Sequence, residues 1–154
     1  MYKRQTQALE TMFENDCKLV ILACNSASTI LPRIQQEWLP EHHPDRKVLG
    51  VIRPTVEHMG ESSDIRKIYV LATPVTVESE SFDHELNKIN IRCDFHEIAC
   101  SGLAETIERS ADYISDPNIL ALTKEYLQTC LLYTSSGCSC ENYRHCKNLR
   151  CKSI

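Results

Sequence analysis

Apolar residues along this chain come in short blocks, and the blocks alternate between two spacings. Leu19-Val-Ile-Leu-Ala, Val48-Leu-Gly-Val-Ile and Ile68-Tyr-Val-Leu-Ala are continuous runs rich in Val, Ile and Leu. Such runs mark strands covered on both faces of a parallel sheet. Between the first two, Ile30, Leu31, Ile34 and Trp38 recur at helical spacing. The pattern predicts a helix end over 7–14, a strand at Leu19, a helix over 28–39, a polar loop over 40–46 and a strand at Val48. It continues with a short helix over 55–59, a strand at Ile68, a helix over 77–87, a strand over 91–98, and helices over 103–114 and 118–127. Pro32 is tolerated if its helix starts near Ser28, because first-turn N–H groups have no intrahelical partner. Strand–helix alternation of this kind predicts βαβ units, a parallel sheet and an α/β fold.

Charge and cysteine content divide the chain. The 154 residues carry a formal net charge of −4; the first five contribute +2 and the segment from Cys130 onward +3, which leaves −9 for residues 6–129. An acidic domain of this kind excludes nucleic acid as the expected partner. No apolar run reaches transmembrane length and no signal-peptide pattern is present, so a membrane partner is not expected and a cytoplasmic location is. Five of the nine cysteines fall at or after Cys130. The other four, Cys17, Cys24, Cys93 and Cys100, are an ordinary number for a reduced cytosolic protein.

Cys24 is the residue with the clearest chemical promise. It follows the first strand directly and precedes a helix, the position at which open α/β sheets place ligands. Free backbone N–H groups and the helix dipole at such a turn favour an anion, including a thiolate. Asn25, Ser26 and Ser28 supply side-chain donors and acceptors beside it and are also able to cap the helix. Placed against this is the commoner fate of a free cysteine, a small buried hydrophobe, and Cys93 and Cys100 are read that way.

These residues resemble a family. Ala23-Cys-Asn-Ser-Ala-Ser28 is similar to the Ala-Cys-Asn-Thr-Ala-Ser signature of glutamate racemases, in the aspartate/glutamate racemase superfamily. Val48-Leu-Gly-Val-Ile-Arg-Pro54 resembles the family's strand entering a Gly-Val-Ile-x-Pro turn. Ile68-Tyr-Val-Leu-Ala-Thr73-Pro-Val-Thr76-Val-Glu-Ser79 is close to its Leu-Ala-Thr-x-x-Thr-Val-x-Ser, and Ile98 to Glu108 weakly resembles a later helix start. The matches keep the family's order from Lys18 to Leu127. The resemblance implies a Rossmann- or flavodoxin-like racemase fold, with two similar α/β domains enclosing the substrate. It implies cofactor-independent racemisation of a small-molecule substrate, glutamate, supplying D-glutamate for peptidoglycan, in an enzyme that can form homo-oligomers. Two cysteines then act on opposite faces of the substrate, one removing the α-proton and the other returning one; a thiol suits this because it can be tuned as a base near neutral pH. Carried over, Cys24 is one of these catalytic thiols; Asn25, Ser26, Thr76 and, less directly, Thr73 bind the amino acid. No metal or cofactor is implied. Aspartate racemisation is the alternative within the superfamily.

The family's Asp-Ser-Gly and Pro-Tyr-Gly segments and its Gly-Cys-Thr-His motif, which holds the second cysteine, do not occur in these 154 residues. The chain ends offer a reason. Met1 to Gln5 and Cys130 to Ser135 back-translate to two orientations of one transposase mosaic-end adapter, and such scars are set aside in fold reasoning. The expected organisation is an adapter-like start over 1–5, part of a first domain over 6–62, part of a second over 63–129, and an artefactual or disordered tail over 130–154. A chain holding one thiol of two is expected to turn over little substrate.

Other positions promise less. Cys138, Cys140, His145, Cys146 and Cys151 offer zinc-ligand chemistry, which makes a non-catalytic chain with a zinc-binding tail the competing class, but Cys-x-Cys is not the usual knuckle spacing. His42 and His43 are expected in a solvated loop. His58, His84 and His96 read as surface or packing residues, and Glu57, Asp83 and Glu85 as solvated helix charges.

Overall fold

The computed structural model describes residues 2–61, 67–91, 93–135 and 149–152, and at 2, 130–135 and 149–152 the backbone path alone. In chain order the elements begin with α1 (Tyr2–Glu14), β1 (Leu19–Leu22), α2 (Asn25–Ser28), α3 (Leu31–Arg33), a π-helical stretch (Ile34–Trp38), α4 (Leu39–His42), β2 (Lys47–Gly50) and α5 (Ile52–Gly60). They continue with β3 (Lys67–Ala72), α6 (Pro74–Glu78), α7 (Ser81–Lys88), β4 (Asp94–Ala99), α8 (Leu103–Arg109), α9 (Pro117–Ser135) and β5 (Leu149–Lys152). The chain forms two compact units, Met1–Ser63 with Ser79–Ile91, and Asp64–Glu78 with Arg92–Ile154. The segment 79–91 thus returns to the first unit rather than staying with its sequence neighbours. Its apolar face explains this: α7 packs against α5 and buries Phe82 and Leu86, while α5 buries Ile52 and Val56.

In the first unit β1 and β2 run parallel, from Leu19 opposite Lys47 to Leu22 opposite Gly50. Leu9 and Phe13 of α1 form a core with Ile34 and Val48, and Val20, Leu22 and Trp38 pack onto it. Among the described residues only one face of this sheet is covered. Leu19, Ile21 and Leu49 are 49%, 59% and 48% exposed, so the expectation of a strand buried on both faces fails for β1. Alternate residues of a strand face opposite sides, and here only Val20, Leu22 and Val48 find a core.

The single helix expected over 28–39 is instead a series of short pieces. Pro32 and Pro40 sit near the starts of α3 and α4, where a missing N–H costs little. Between them the ladder widens to a π-helical stretch closed by the Leu39 N–H donating to the Ile34 carbonyl. His43 is not solvated as expected. Its ring stacks at a tilt 4.8 Å from that of Phe13, and its Nε2 lies 3.1 Å from Glu10 Oε2. The helix expected over 77–87 is also divided, because Glu80 adopts a left-handed backbone (φ 52°, ψ 21°) between α6 and α7.

In the second unit β3 and β4 pair in parallel from Lys67 opposite Asp94 to Ala72 opposite Ala99. β5 adds to the other edge of β4 in the antiparallel sense, which makes this sheet mixed. Ile98 and Cys100 form its core with Tyr69, Leu103 and Tyr126. The remaining tail residues, with the candidate ligands Cys138, Cys140, His145 and Cys146, lie outside the described residues. His96 is packed, its ring stacked 4.7 Å from that of Tyr69 and its Nε2 2.9 Å from Asp94 Oδ1.

Candidate active site

In the first unit Cys24 stands where the sequence placed it, two residues beyond β1 and immediately before α2. Its backbone is extended (φ −96°, ψ 128°), the conformation that turns a strand into a helix start. The thiol residue and Asn25 are exposed and Ser26 is half-buried. The expected capping role of Asn25, Ser26 or Ser28 is not what forms. The helix begins at Asn25, so Cys24 itself is the capping residue, and no side chain caps the helix. At four residues, α2 is too short to supply the full helix dipole expected behind the thiol.

What holds the turn is Ser28. Its side chain is buried, and its hydroxyl lies 3.0 Å from the Leu22 carbonyl oxygen and 2.9 Å from that of Cys24, able to donate to one at a time. The Ser28 N–H also donates to the Cys24 carbonyl at 2.9 Å, and the Val51 N–H donates to the Ser28 hydroxyl at 3.4 Å. One hydroxyl thereby links the residue after β2 to either the end of β1 or the Cys24 peptide. Thr29 completes the turn by donating to the Ser26 carbonyl at 2.9 Å.

In the second unit, Thr73 and Thr76 occupy the corresponding place beyond a strand: Thr73 follows β3, and Thr76 lies in α6. Their hydroxyl oxygens are 3.0 Å apart, and the Thr76 and Val77 N–H groups both donate to the Thr73 carbonyl, at 3.0 and 3.1 Å. Thr76 is fully buried, whereas Thr73 is half-exposed. Cys93 and Cys100 are buried. Burial pushes the Cys93 thiol pKa up, with the Asp94 charge adding to it. Tyr126 hydroxyl donates to the Ser101 carbonyl at 2.8 Å; burial raises its pKa, followed by the charges of Cys100 and Glu125.

A cleft of about 650 Å³ in the first unit has Ser28, Gln35, Gly50, Arg53, Glu57 and His84 in its lining. Cys24 lies outside it. Glu85 and Asp83 of α7 are not the solvated charges expected. Asp83 is buried, and the Glu85 side chain is 14% exposed, ion-paired to Lys88 Nζ at 2.5 Å and to Arg53 Nη1 at 4.0 Å. Buried Phe82, Asp83 and Leu86 share one helix face, a spacing the sequence already carried. Among the described residues no group of three or more His, Cys, Asp or Glu side chains is placed to hold a metal ion. Nor is any helix among them long and apolar enough to cross a membrane.

Parallel α/β units with a cysteine at a strand–helix junction define a class of protein that works at the carboxyl ends of its strands. Within that class the chain is similar to glutamate racemases over most of its own length. It is 40% identical over 119 residues to a glutamate racemase of Roseobacter denitrificans, a match covering 70% of this chain and 43% of that protein. A glutamate racemase of a Ruegeria species is 34% identical over 142 residues, covering 85% of this chain and 50% of that protein. Among solved structures, glutamate racemase from Francisella tularensis in complex with D-glutamate superposes with a TM-score of 0.68 at 25% identity, over 82% of this chain and 45% of that one. Glutamate racemase from Bacillus anthracis shares the fold, with a TM-score of 0.71 at 23% identity over 83% of this chain and 46% of that one. The chain spans about half or less of the length of each of these proteins. No protein-family model matches it.

Proposed function

We propose that this chain is the part of a glutamate racemase that carries one of its two acid/base thiols, Cys24, and that the whole protein interconverts L- and D-glutamate. The observation that carries the reading is the exposed Cys24 at the β1–α2 junction, beside Asn25 and Ser26, in a chain 40% identical to a named glutamate racemase. The Cys24 thiolate takes the proton from Cα of the amino acid, leaving a carbanion stabilised by the adjoining carboxylate. A thiol on the opposite face gives its proton to the same carbon, which inverts the centre and leaves the two sulfurs with exchanged protonation states. In the reverse direction the roles of the two thiols exchange.

Asn25 and Ser26 supply an amide and a hydroxyl for the substrate's charged groups, and the family motif assigns Thr73 and Thr76 as further substrate-binding hydroxyls. Ser26 stands where the family signature has threonine and keeps the hydroxyl. The second thiol belongs to the family's Gly-Cys-Thr-His motif, so the 154-residue chain alone is expected to show little turnover, since one thiol cannot serve both faces. The D-glutamate formed would feed peptidoglycan synthesis. The test is D-glutamate production by the full-length protein. Formation from L-glutamate that disappears in Cys24→Ala supports the reading, whereas racemisation of aspartate alone overturns the substrate assignment.

A further inference from the structure

The Ser28 hydroxyl is buried, and all of its hydrogen-bond geometry converges on the Cys24 turn. It reaches the carbonyls of Leu22 and Cys24 at 3.0 and 2.9 Å and receives the Val51 N–H at 3.4 Å. Residue 50 leaves room for this arrangement. A Cβ on Gly50 would stand 3.0 Å from Ser28 Oγ, 3.0 Å from Leu31 Cδ2 and 3.1 Å from Ser28 Cβ, closer than side chains normally pack. Gly50 is the last residue of β2 and lies opposite Leu22, the last of β1. Thus the Ser28 N–H holds the Cys24 carbonyl, the Ser28 hydroxyl proton is shared between that carbonyl and the Leu22 carbonyl at the end of β1, and the Ser28 oxygen accepts from the Val51 N–H just beyond β2.

From this we infer that Ser28 is the positioning residue for Cys24, and that Gly50 is the gap which lets it act. The inference rests on the reading of Cys24 as an acid/base thiol. Ser28 itself touches neither the thiol nor a substrate. It sets the direction of the Cys24 carbonyl and of the backbone N–H groups that open α2. These dipoles decide how well a thiolate is tolerated at that spot. A merely structural serine would alter stability and leave the thiol's titration where it was.

The test is the pH profile of alkylation of Cys24 by iodoacetamide in the full chain, resolved by peptide mass spectrometry and normalised to half-buried Cys17 in the same molecules. In Ser28→Ala the Cys24/Cys17 rate ratio is expected to change by about threefold or more near neutral pH, as loss of the oriented backbone dipoles beside the thiolate produces. An unchanged ratio in a folded Ser28→Ala chain, judged by circular dichroism, overturns the inference. Should Ser28→Ala fail to fold, Gly50→Ala keeps the hydroxyl and displaces it. A moved ratio there supports the role, and an unmoved one overturns it. In the full-length protein, Ser28→Ala is expected to lower kcat about tenfold or more with a smaller effect on KM, as misplacement of a reacting group does. The two readings fail separately. A Cys24 profile that depends on Ser28 in a protein inert toward glutamate sinks the racemase assignment alone, and an active racemase whose profile ignores Ser28 sinks the positioning role alone.

Discussion

The hydroxyl oxygens of Thr73 and Thr76 lie 3.0 Å apart just beyond the end of β3, with Thr76 1% exposed and Thr73 half-exposed. The buried threonine therefore orients the accessible one. Thr76→Val keeps the shape and removes the hydroxyl, leaving Thr73 without this partner. It is expected to cost about 1–3 kcal/mol in urea unfolding and to weaken glutamate binding in the full-length protein. A Thr76→Val protein with an unchanged KM would remove the pair from the proposed substrate site.

Glu80 holds a left-handed backbone between α6 and α7. That region penalises any residue with a Cβ and penalises β-branched residues most. Glu80→Gly is expected to raise thermal stability by up to about 1 kcal/mol, and Glu80→Val to lower it by a similar amount. The exposed contact from Glu80 Oε2 to His84 Nε2, at 3.8 Å, is too weak to reverse that order.

Cys93 is buried, and burial followed by the Asp94 charge raises its thiol pKa. In the unfolded chain the same thiol ionises at its ordinary value, so above that value the unfolded state binds fewer protons than the folded one. Folding stability is therefore expected to decline as the pH rises beyond roughly 8.5, and Cys93→Ala to flatten that decline. Urea midpoints collected from pH 7 to 10 for the two chains check this directly. A parent and variant with parallel profiles would contradict it.

The uncovered face of β1 and β2 presents Leu19, Ile21 and Leu49 side by side, Ile21 being directly opposite Leu49. Contiguous apolar surface of this kind promotes self-association. Ile21→Thr keeps a strand-favouring residue and removes the apolar tip. It is expected to raise soluble yield and lower light scattering on heating while changing unfolding free energy by no more than about 0.5 kcal/mol. Unchanged scattering would move the aggregation-prone surface elsewhere.

Strand positions were the most legible part of the sequence. Each of the runs at Leu19, Val48 and Ile68 is a local, continuous apolar signal, and each forms a strand paired in parallel. Cys24 was legible for the same reason, since its place follows from the strand before it and the small polar residues after it. Helix continuity was less so. The π-helical stretch between Pro32 and Pro40 and the break at Glu80 are decided by a few backbone angles that hydrophobic spacing does not register. Burial of charge is not legible either: Asp83 is buried beside Phe82 on α7, and tertiary packing overrides the usual preference of a carboxylate for water. From sequence alone Ser28 reads only as a candidate helix cap. Its role as a tie between two strand ends depends on Gly50 and Val51, more than twenty residues away in sequence, and a local pattern carries no trace of that approach.

The most direct test of the central claim is exchange of the glutamate α-proton with solvent, followed by proton NMR in deuterium oxide with the full-length protein. Deuterium is expected to enter at Cα from both L- and D-glutamate, and Cys24→Ser is expected to abolish exchange for at least one enantiomer while the fold is retained. A Cys24→Ser protein that still exchanges both enantiomers at the parent rate would contradict the assignment of Cys24 as an acid/base thiol.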